Sequence, residues 1–457
     1  MIIRDLRQFS SLFRQYTELR SQENRVLSIA YLQGNLVQNV RNATSGISAR
    51  VYSGGSWGFA STPDQSKVRE VIAEATSNAV FLDSREQMGL GSFTPETPVV
   101  EVNYGTTKQR LTQKEIMDFT KAVDDYIAKK YPNLSSRSVR LDCLDMEKTL
   151  LTSDGAYLYS LIPRSIFVIS LSMDKNSDPV EVYDIAGGRG QFEDVFSKPE
   201  DLFPTIDELY EHLVKKSEGV YPEAGVKECV LDSQLAGILA HEAIGHTTEA
   251  DMVIGGSVAG DFLNKQAASP LVSLADFAHS YNGEPCPIPI HVDDEGTAAE
   301  DVMLIEKGIL TGYMHNKHSA RHFNAKPTGN ARAFTYRDEP LIRMRNTAIL
   351  PGTSKLEDMI ASIEDGYYLI QPSNGQADTT SEFMFGIVLG YEIKNGKLGR
   401  AIKDTTISGV AFDVLQNVTM VSDDMTWSCA GMCGKKQLIP VGMGGPAVKT
   451  KINIGGR

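Results

Sequence analysis

The chain has 457 residues, 41% of them hydrophobic and 23% charged, the composition of a globular protein with a large core and length for two or three domains. Its 58 acidic and 45 basic residues give a formal net charge of -13, which argues against broad nucleic-acid binding, since that needs a basic surface. Five scattered cysteines do not make a disulfide scaffold, and no window offers the roughly 18 unbroken apolar residues of a membrane helix.

The N-terminus, MIIRDLRQFSSLFRQ, carries charges every few positions and lacks the apolar stretch of a signal peptide. A cytoplasmic protein without membrane contact is expected. Residues 1–21 place Ile2, Leu6, Phe9, Leu12, Phe13, Tyr16 and Leu19 at helical spacing. From Arg25 to Thr62 the chain turns β-branched and aromatic, punctuated by Gly, Asn and Ser, and reads as an antiparallel meander of three or four strands. Helices are expected at about 64–82 and at 113–130, with strands again over 137–185. GGRGQ at 187–191 fits neither a P-loop nor a dinucleotide fingerprint and reads as a turn. A short helix at 205–217 leads to a boundary near 222.

Beyond it, VKECVLD reads as a strand and 233–250 as a helix capped by Asp232 or Ser233. Most of the remainder reads as short strands and loops, interrupted by a helix at about 354–364. Strands in adjacent runs favour an α+β class over a doubly wound sheet. Two domains are expected. Residues 1–221 would hold antiparallel strands with packed helices, and 222–457 a mainly-β domain with an embedded metal-site helix.

The helix at 233–250 carries HEAIGH, from His241 to His246. A step of four turns an ideal helix by roughly 40° from eclipsed, and a step of five by roughly 140°. Two histidines five apart therefore converge only if the helix widens to a π turn or ends at Gly245, where glycine weakens it. Given that distortion, His241 and His246 offer two imidazoles suited to zinc, and Glu242 stands beside the open position as a general base. A histidine pair near a helix end is also a common surface or core feature. A catalytic zinc takes a third protein ligand, and the candidates are Glu249, Asp251, His291, His315, His318, His322, Cys429 and Cys433. Cys429 and Cys433 lie in a Gly-rich segment near Lys435 and Lys436, which would favour a thiolate. No second cysteine pair exists for a four-cysteine site, so one thiolate joining the histidines is the simplest set. The other cysteines, Cys143, Cys229 and Cys286, read as small buried hydrophobes. Arg343, Arg345 and Asn346 in RMRNT are candidates to bind a substrate backbone or carboxylate, or form a charged strand face. Gln376 and Asp378 in GQADTTS are candidates to orient a ligand or line a substrate path, or form a polar turn. His315, His318 and His322 could form a second metal site.

Four ordered stretches resemble the TldD/PmbA metalloproteases, also described as modulators of DNA gyrase. They are HEAIGHTTEAD at 241–251, GNARAFTYRDEPLIRMRNTAILPG at 329–352, NGQADTTSEFMFGIVLGYEIKNGKL at 374–398 and MCGKKQLIPVGMGGP at 432–446. The resemblance covers nearly the whole chain. It implies one zinc held by His241, His246 and Cys433, with Glu242 as general base and no assigned role for Cys429. The intact HExxxH motif resembles the active, TldD-like branch. The family implies a homodimer, or a heterodimer with a PmbA-like paralogue, enclosing a chamber in which peptides or unfolded polypeptides are cut. Two departures, ARAF at 331–334 and PSNGQ at 372–376, bear on substrate preference. The competing readings are a non-catalytic regulatory subunit acting on gyrase or a toxin system, and a closed structural zinc.

Overall fold

The computed structural model describes residues 2–82, 97–175 and 178–455. The first sheet holds β1 (Tyr16–Leu32), β2 (Asn35–Ser53), β3 (Ser56–Thr62), β4 (Val99–Asn103), β5 (Ser136–Thr152), β6 (Tyr157–Lys175) and β7 (Asp178–Arg189). Its central ribbon is antiparallel, with β1 between β2 and β5. The β1–β2 turn places Gln33 and Gly34 at φ of 50° and 82°, the left-handed pair that a tight hairpin needs. Helices α1 (Val68–Phe81), α2 (Gln113–Lys130) and α3 (Phe203–Ser217) cover the outer face. In α2 the buried Ile116, Val123 and Ile127 follow the helical period, and Thr112 and Glu115 close a capping box at its start.

Two local expectations fail here. Residues 1–21 are not a helix: only Arg7–Leu12 makes a 3-10 helix, and Tyr16 already starts β1. Leu6 and Leu19 are fully buried, as the apolar spacing implied. But Leu19 pairs with Ala49 on one side and Leu151 on the other, and a two-sided ladder outweighs a short amphipathic helix. Gly187–Arg189 of GGRGQ are likewise strand, with Gly188 opposite Ser165 and Arg189 opposite Arg164.

The second half contains a six-stranded sheet and a closed ring. The sheet runs β11 (Ile309–Leu310), β10 (Val302–Glu306), β9 (Leu274–Phe277), β12 (Asn346–Ile349), β18 (Gln437–Gly445) and β17 (Thr426–Lys435). The ring joins β13 (Asp365–Ala377), β8 (Gly225–Leu231), β19 (Val448–Ile454), β16 (Thr405–Val410) and β14 (Glu382–Lys394), and closes because β14 also pairs β13; β15 (Lys397–Ala401) pairs with β14 outside it. Helix α4 (Ser233–Ile238) leaves β8 and packs between β13 of the ring and β17 and β18 of the sheet. The fold is thus mixed α and β, and among the described residues no helix is long and apolar enough to cross a membrane.

A buried polar seam joins the inner face of the first sheet to the loop HVDDEG at 291–296. Lys148 Nζ lies 2.8 Å from Asp294 Oδ2, and Arg20 3.7 Å from the same oxygen. Arg50 reaches Glu295 at 2.6 Å and Glu18 at 3.3 Å. Asp293 and Asp294 also accept the backbone N–H groups of Ala331 and Ala333. Removing one member of such a buried pair strands the other charge. Asp294→Ala is therefore expected to lower stability by about 3–5 kcal/mol, read as a lower urea midpoint. An unchanged midpoint would show that this seam does not hold the two halves together.

Candidate metal centre

The expected helix over 233–250 is four pieces: α4, a π turn over Leu239–Gly245, a 3-10 turn over His246–Thr248, and a short helix over Ala250–Ile254. Asp232 occupies the N-cap without a side-chain cap bond; its carboxylate instead accepts from Tyr368 Oη at 2.6 Å. The widening falls between the two histidines. The His246 N–H donates to the His241 carbonyl, five residues back. This brings the rings to a centroid separation of 5.4 Å at an interplanar angle of 77°. Gly245 serves a different purpose from the one its helix-weakening suggests. A Cβ there would lie 2.0 Å from Met344 Sδ, so the bare backbone lets the fully buried Met344 pack beneath the turn.

The third group arrives from β17. Cys433 Sγ lies 3.3 Å from His246 Nε2, and ligand atoms of His241, His246 and Cys433 all lie within 4.8 Å of one another. Two donors on one tetrahedral zinc are about 3.5 Å apart. His241 is fully buried, and neither ring nitrogen has a hydrogen-bond partner. A buried imidazole left so is costly unless something else takes a lone pair, so the donor chemistry fits a metal. Glu242 Oε2 is 3.8 Å from His246 Nε2, with its side chain 28% exposed.

Electrostatics reinforce the grouping. Burial alone would push the Cys433 thiol up; the imidazoles of His241 and His246 outweigh it and bring it down to about 5. Burial alone would push His246 down, but the contacts with Cys433 and Glu249 raise it to about 10. Burial opposes the Glu249 charge, yet His246 and Lys435 hold that carboxyl below its usual value.

The other candidate ligands lie elsewhere. Glu249 Oε2 approaches the far nitrogen of His246, Nδ1, at 3.2 Å, and Asp251 pairs with Lys435 at 2.7 Å. Lys435 thus faces carboxylates rather than the thiol. Cys429 points to the Pro287 carbonyl at 3.8 Å, and burial pushes it up to about 11. A bulge between Ser428 and Gly431 changes the alternation of β17, which separates Cys429 from the face of Cys433. His291 stacks on His279 at 4.4 Å and meets Tyr104 Oη at 3.1 Å. His315 is buried against Ser319, pushed down to about 4 by burial, while His318 and His322 sit on the helix Lys317–His322. Among the described residues these three do not form a second converging group.

The residues expected to bind substrate have other partners. Arg343 is fully buried and donates to the Cys433 carbonyl at 2.6 Å and the Gln437 carbonyl at 2.9 Å, so it anchors the hairpin that presents Cys433. Asn346 is fully buried and bridges the backbone of Phe277 and Ile288, and Arg345 pairs with Asp276 at 2.8 Å. Arg343, through its two terminal nitrogens, and Asn346 are thus engaged with the protein's own backbone in this structure rather than open to a substrate. Asp378 is exposed and accepts from the N–H groups of Thr380 and Glu382, closing the β13–β14 turn; Gln376 is exposed on β13.

Comparison with known proteins follows the same lines. Residues 224–456 match the PmbA/TldA metallopeptidase C-terminal domain, and residues 17–79 match PmbA/TldA metallopeptidase domain 1. The chain is 30% identical over 414 residues to a zinc metalloprotease TldD homolog of Saccharolobus solfataricus, covering 90% of each. It is 31% identical over 423 residues to a metalloprotease TldD homolog of Buchnera aphidicola subsp. Schizaphis graminum, covering 90% of this chain and 86% of that one. TldE from Thermococcus kodakarensis has the same fold, with a TM-score of 0.75 at 15% identity over 99% of both chains. The class is that of the metallopeptidases. Within it, the chain belongs to the TldD/PmbA family.

Two outcomes are expected. Gly245→Ala should overpack Met344, cost about 1–3 kcal/mol and weaken metal uptake, and in a double-mutant cycle with Met344→Ala the double variant should lose less stability than the two single losses added together. Strictly additive losses would show that Met344 is not the obstacle. In metal-free protein, the thiolate absorbance lost in Cys433→Ser should be present at neutral pH and fade as pH falls through about 5. Fading near 9 instead would show that the imidazoles do not hold the thiolate.

Proposed function

We propose that the chain is a zinc-dependent peptidase acting on peptides or unfolded polypeptides. His241, His246 and Cys433 hold the metal, and Glu242 is the general base. The observation that carries this reading is the convergence of three metal-compatible side chains around His241, whose two nitrogens have no other partner. When bound, zinc supplies Lewis acidity and makes a water easier to deprotonate. Glu242, beside His246 and partly open to solvent, accepts the proton of the attacking water and passes it to the leaving amine. Cys433 would offer the metal a thiolate, which the two imidazoles favour against the effect of burial. A closed structural zinc uses four protein ligands, whereas the described residues bring three together. The relatives' names, metalloprotease and zinc metalloprotease, agree with catalysis rather than a purely regulatory subunit.

Glu242→Gln should keep zinc and lose at least about 100-fold in peptide cleavage. Cys433→Ala should lose zinc. Full cleavage by the first would remove Glu242 from the mechanism, and stoichiometric zinc in the second would remove Cys433 from the ligand set.

A further inference from the structure

Lys435 stands two residues beyond Cys433 on β17, so both side chains leave the same face of the strand. Cys433 Sγ is 3.3 Å from His246 Nε2. Lys435 Nζ is 2.9 Å from Glu249 Oε2, and that oxygen is 3.2 Å from His246 Nδ1. One strand therefore holds both nitrogens of a single imidazole, directly on one side and through a carboxylate on the other. Glu249 is fully buried and lies three residues past His246, across the 3-10 turn. Lys435 Nζ also donates to the Ile342 carbonyl at 3.0 Å and meets Asp251 at 2.7 Å, so its three donors are all used.

We propose that Glu249 and Lys435 are a positioning pair for the metal centre. Glu249 accepts the Nδ1 proton of His246 and so turns Nε2 toward Cys433. Lys435 neutralises the buried Glu249 and fixes the register of β17. A slip of one residue would turn Cys433 and Lys435 away together. The pair thus sets two donors that lie 187 residues apart in sequence. The inference rests on the metal-site reading above and adds a role that neither ligand nor base fills. Carboxylates behind a ligating histidine fix its tautomer and orientation, and their loss typically weakens metal binding by about 10–100-fold.

The test is zinc affinity of the full chain, measured by chelator competition, with cobalt(II) spectra as a second readout. Glu249→Gln and Lys435→Met are each expected to weaken zinc binding about 10–100-fold and to shift the cobalt–thiolate band. Lys435→Arg should stay within a few-fold of the parent. The double variant should be little worse than either single one, because the two residues act as a unit. If Glu249→Gln does not fold, Lys435→Met, on a partly exposed strand, carries the same comparison. Lowered melting temperatures with unchanged zinc affinity would mean the pair is only structural and would overturn the inference. His246→Ala separates the two levels. Should it lose zinc while the pair variants bind normally, the positioning role alone falls. Should it keep zinc, the ligand set and this inference fall together.

Discussion

The hydrogen bond from the His246 N–H to the His241 carbonyl is the constraint on which the centre depends. A regular turn would send the two imidazoles to different sides of the helix. The wider turn brings them edge to face on one side, and in doing so interrupts the helix, so that His246 begins a tight 3-10 turn and Glu249 falls behind it. Wide turns are locally unfavourable and persist only where the surroundings hold them. Here Met344 fills the space under Gly245, β12, β13 and β14 pack against the turn, and the hairpin of β17 and β18 brings Cys433 to His246. Arg343 grips the carbonyls of that hairpin, and its neighbour Met344 lies under the motif, so two adjacent residues serve the two sides of the centre.

A second set of buried charges orients the larger pieces. A chain with a net charge of -13 still encloses Arg20, Arg50 and Lys148, because Glu18, Asp294 and Glu295 meet them. Such pairs add little net stability once desolvation is counted, but they are intolerant of misplacement. They fix how the first sheet sits on the loop at 291–296, and Asp293 and Asp294 tie that loop in turn to the backbone at Ala331 and Ala333.

The local parts of this arrangement were legible in the sequence. Five-residue spacing of two histidines demanded a distorted helix, and the π turn is there. The helical period of α1 and α2 marked both helices to within a few residues. What depends on distant partners was not legible. The apolar period of residues 1–21 looked helical because the flanking strands that claim Tyr16–Arg20 lie far away in sequence. The four-residue interval between Cys429 and Cys433 gave no hint of the bulge that separates them. Arg343 and Asn346 read equally as substrate-binding groups or as a charged strand face, and nothing local says that they will be enclosed. Glu249 reads as a candidate ligand; that it stands behind His246 follows from the tight turn, which spacing alone does not reveal. The three acidic residues in HVDDEG, a charged run directly after an apolar stretch, are the one mark of the buried seam that the sequence carries.

The order of these pieces along the chain has a bearing on synthesis. β8 leads straight into the metal helix, and one of its edges is paired with β19, from Val448 to Ile454. The thiolate arrives only at residue 433. Folding on the ribosome proceeds from the N-terminus, so the first sheet and both histidines exist for some time without the third donor or the strand that seals the ring. On the zinc-site reading proposed above, a growing chain is accordingly without its centre until residue 433 has been translated and has reached the two histidines.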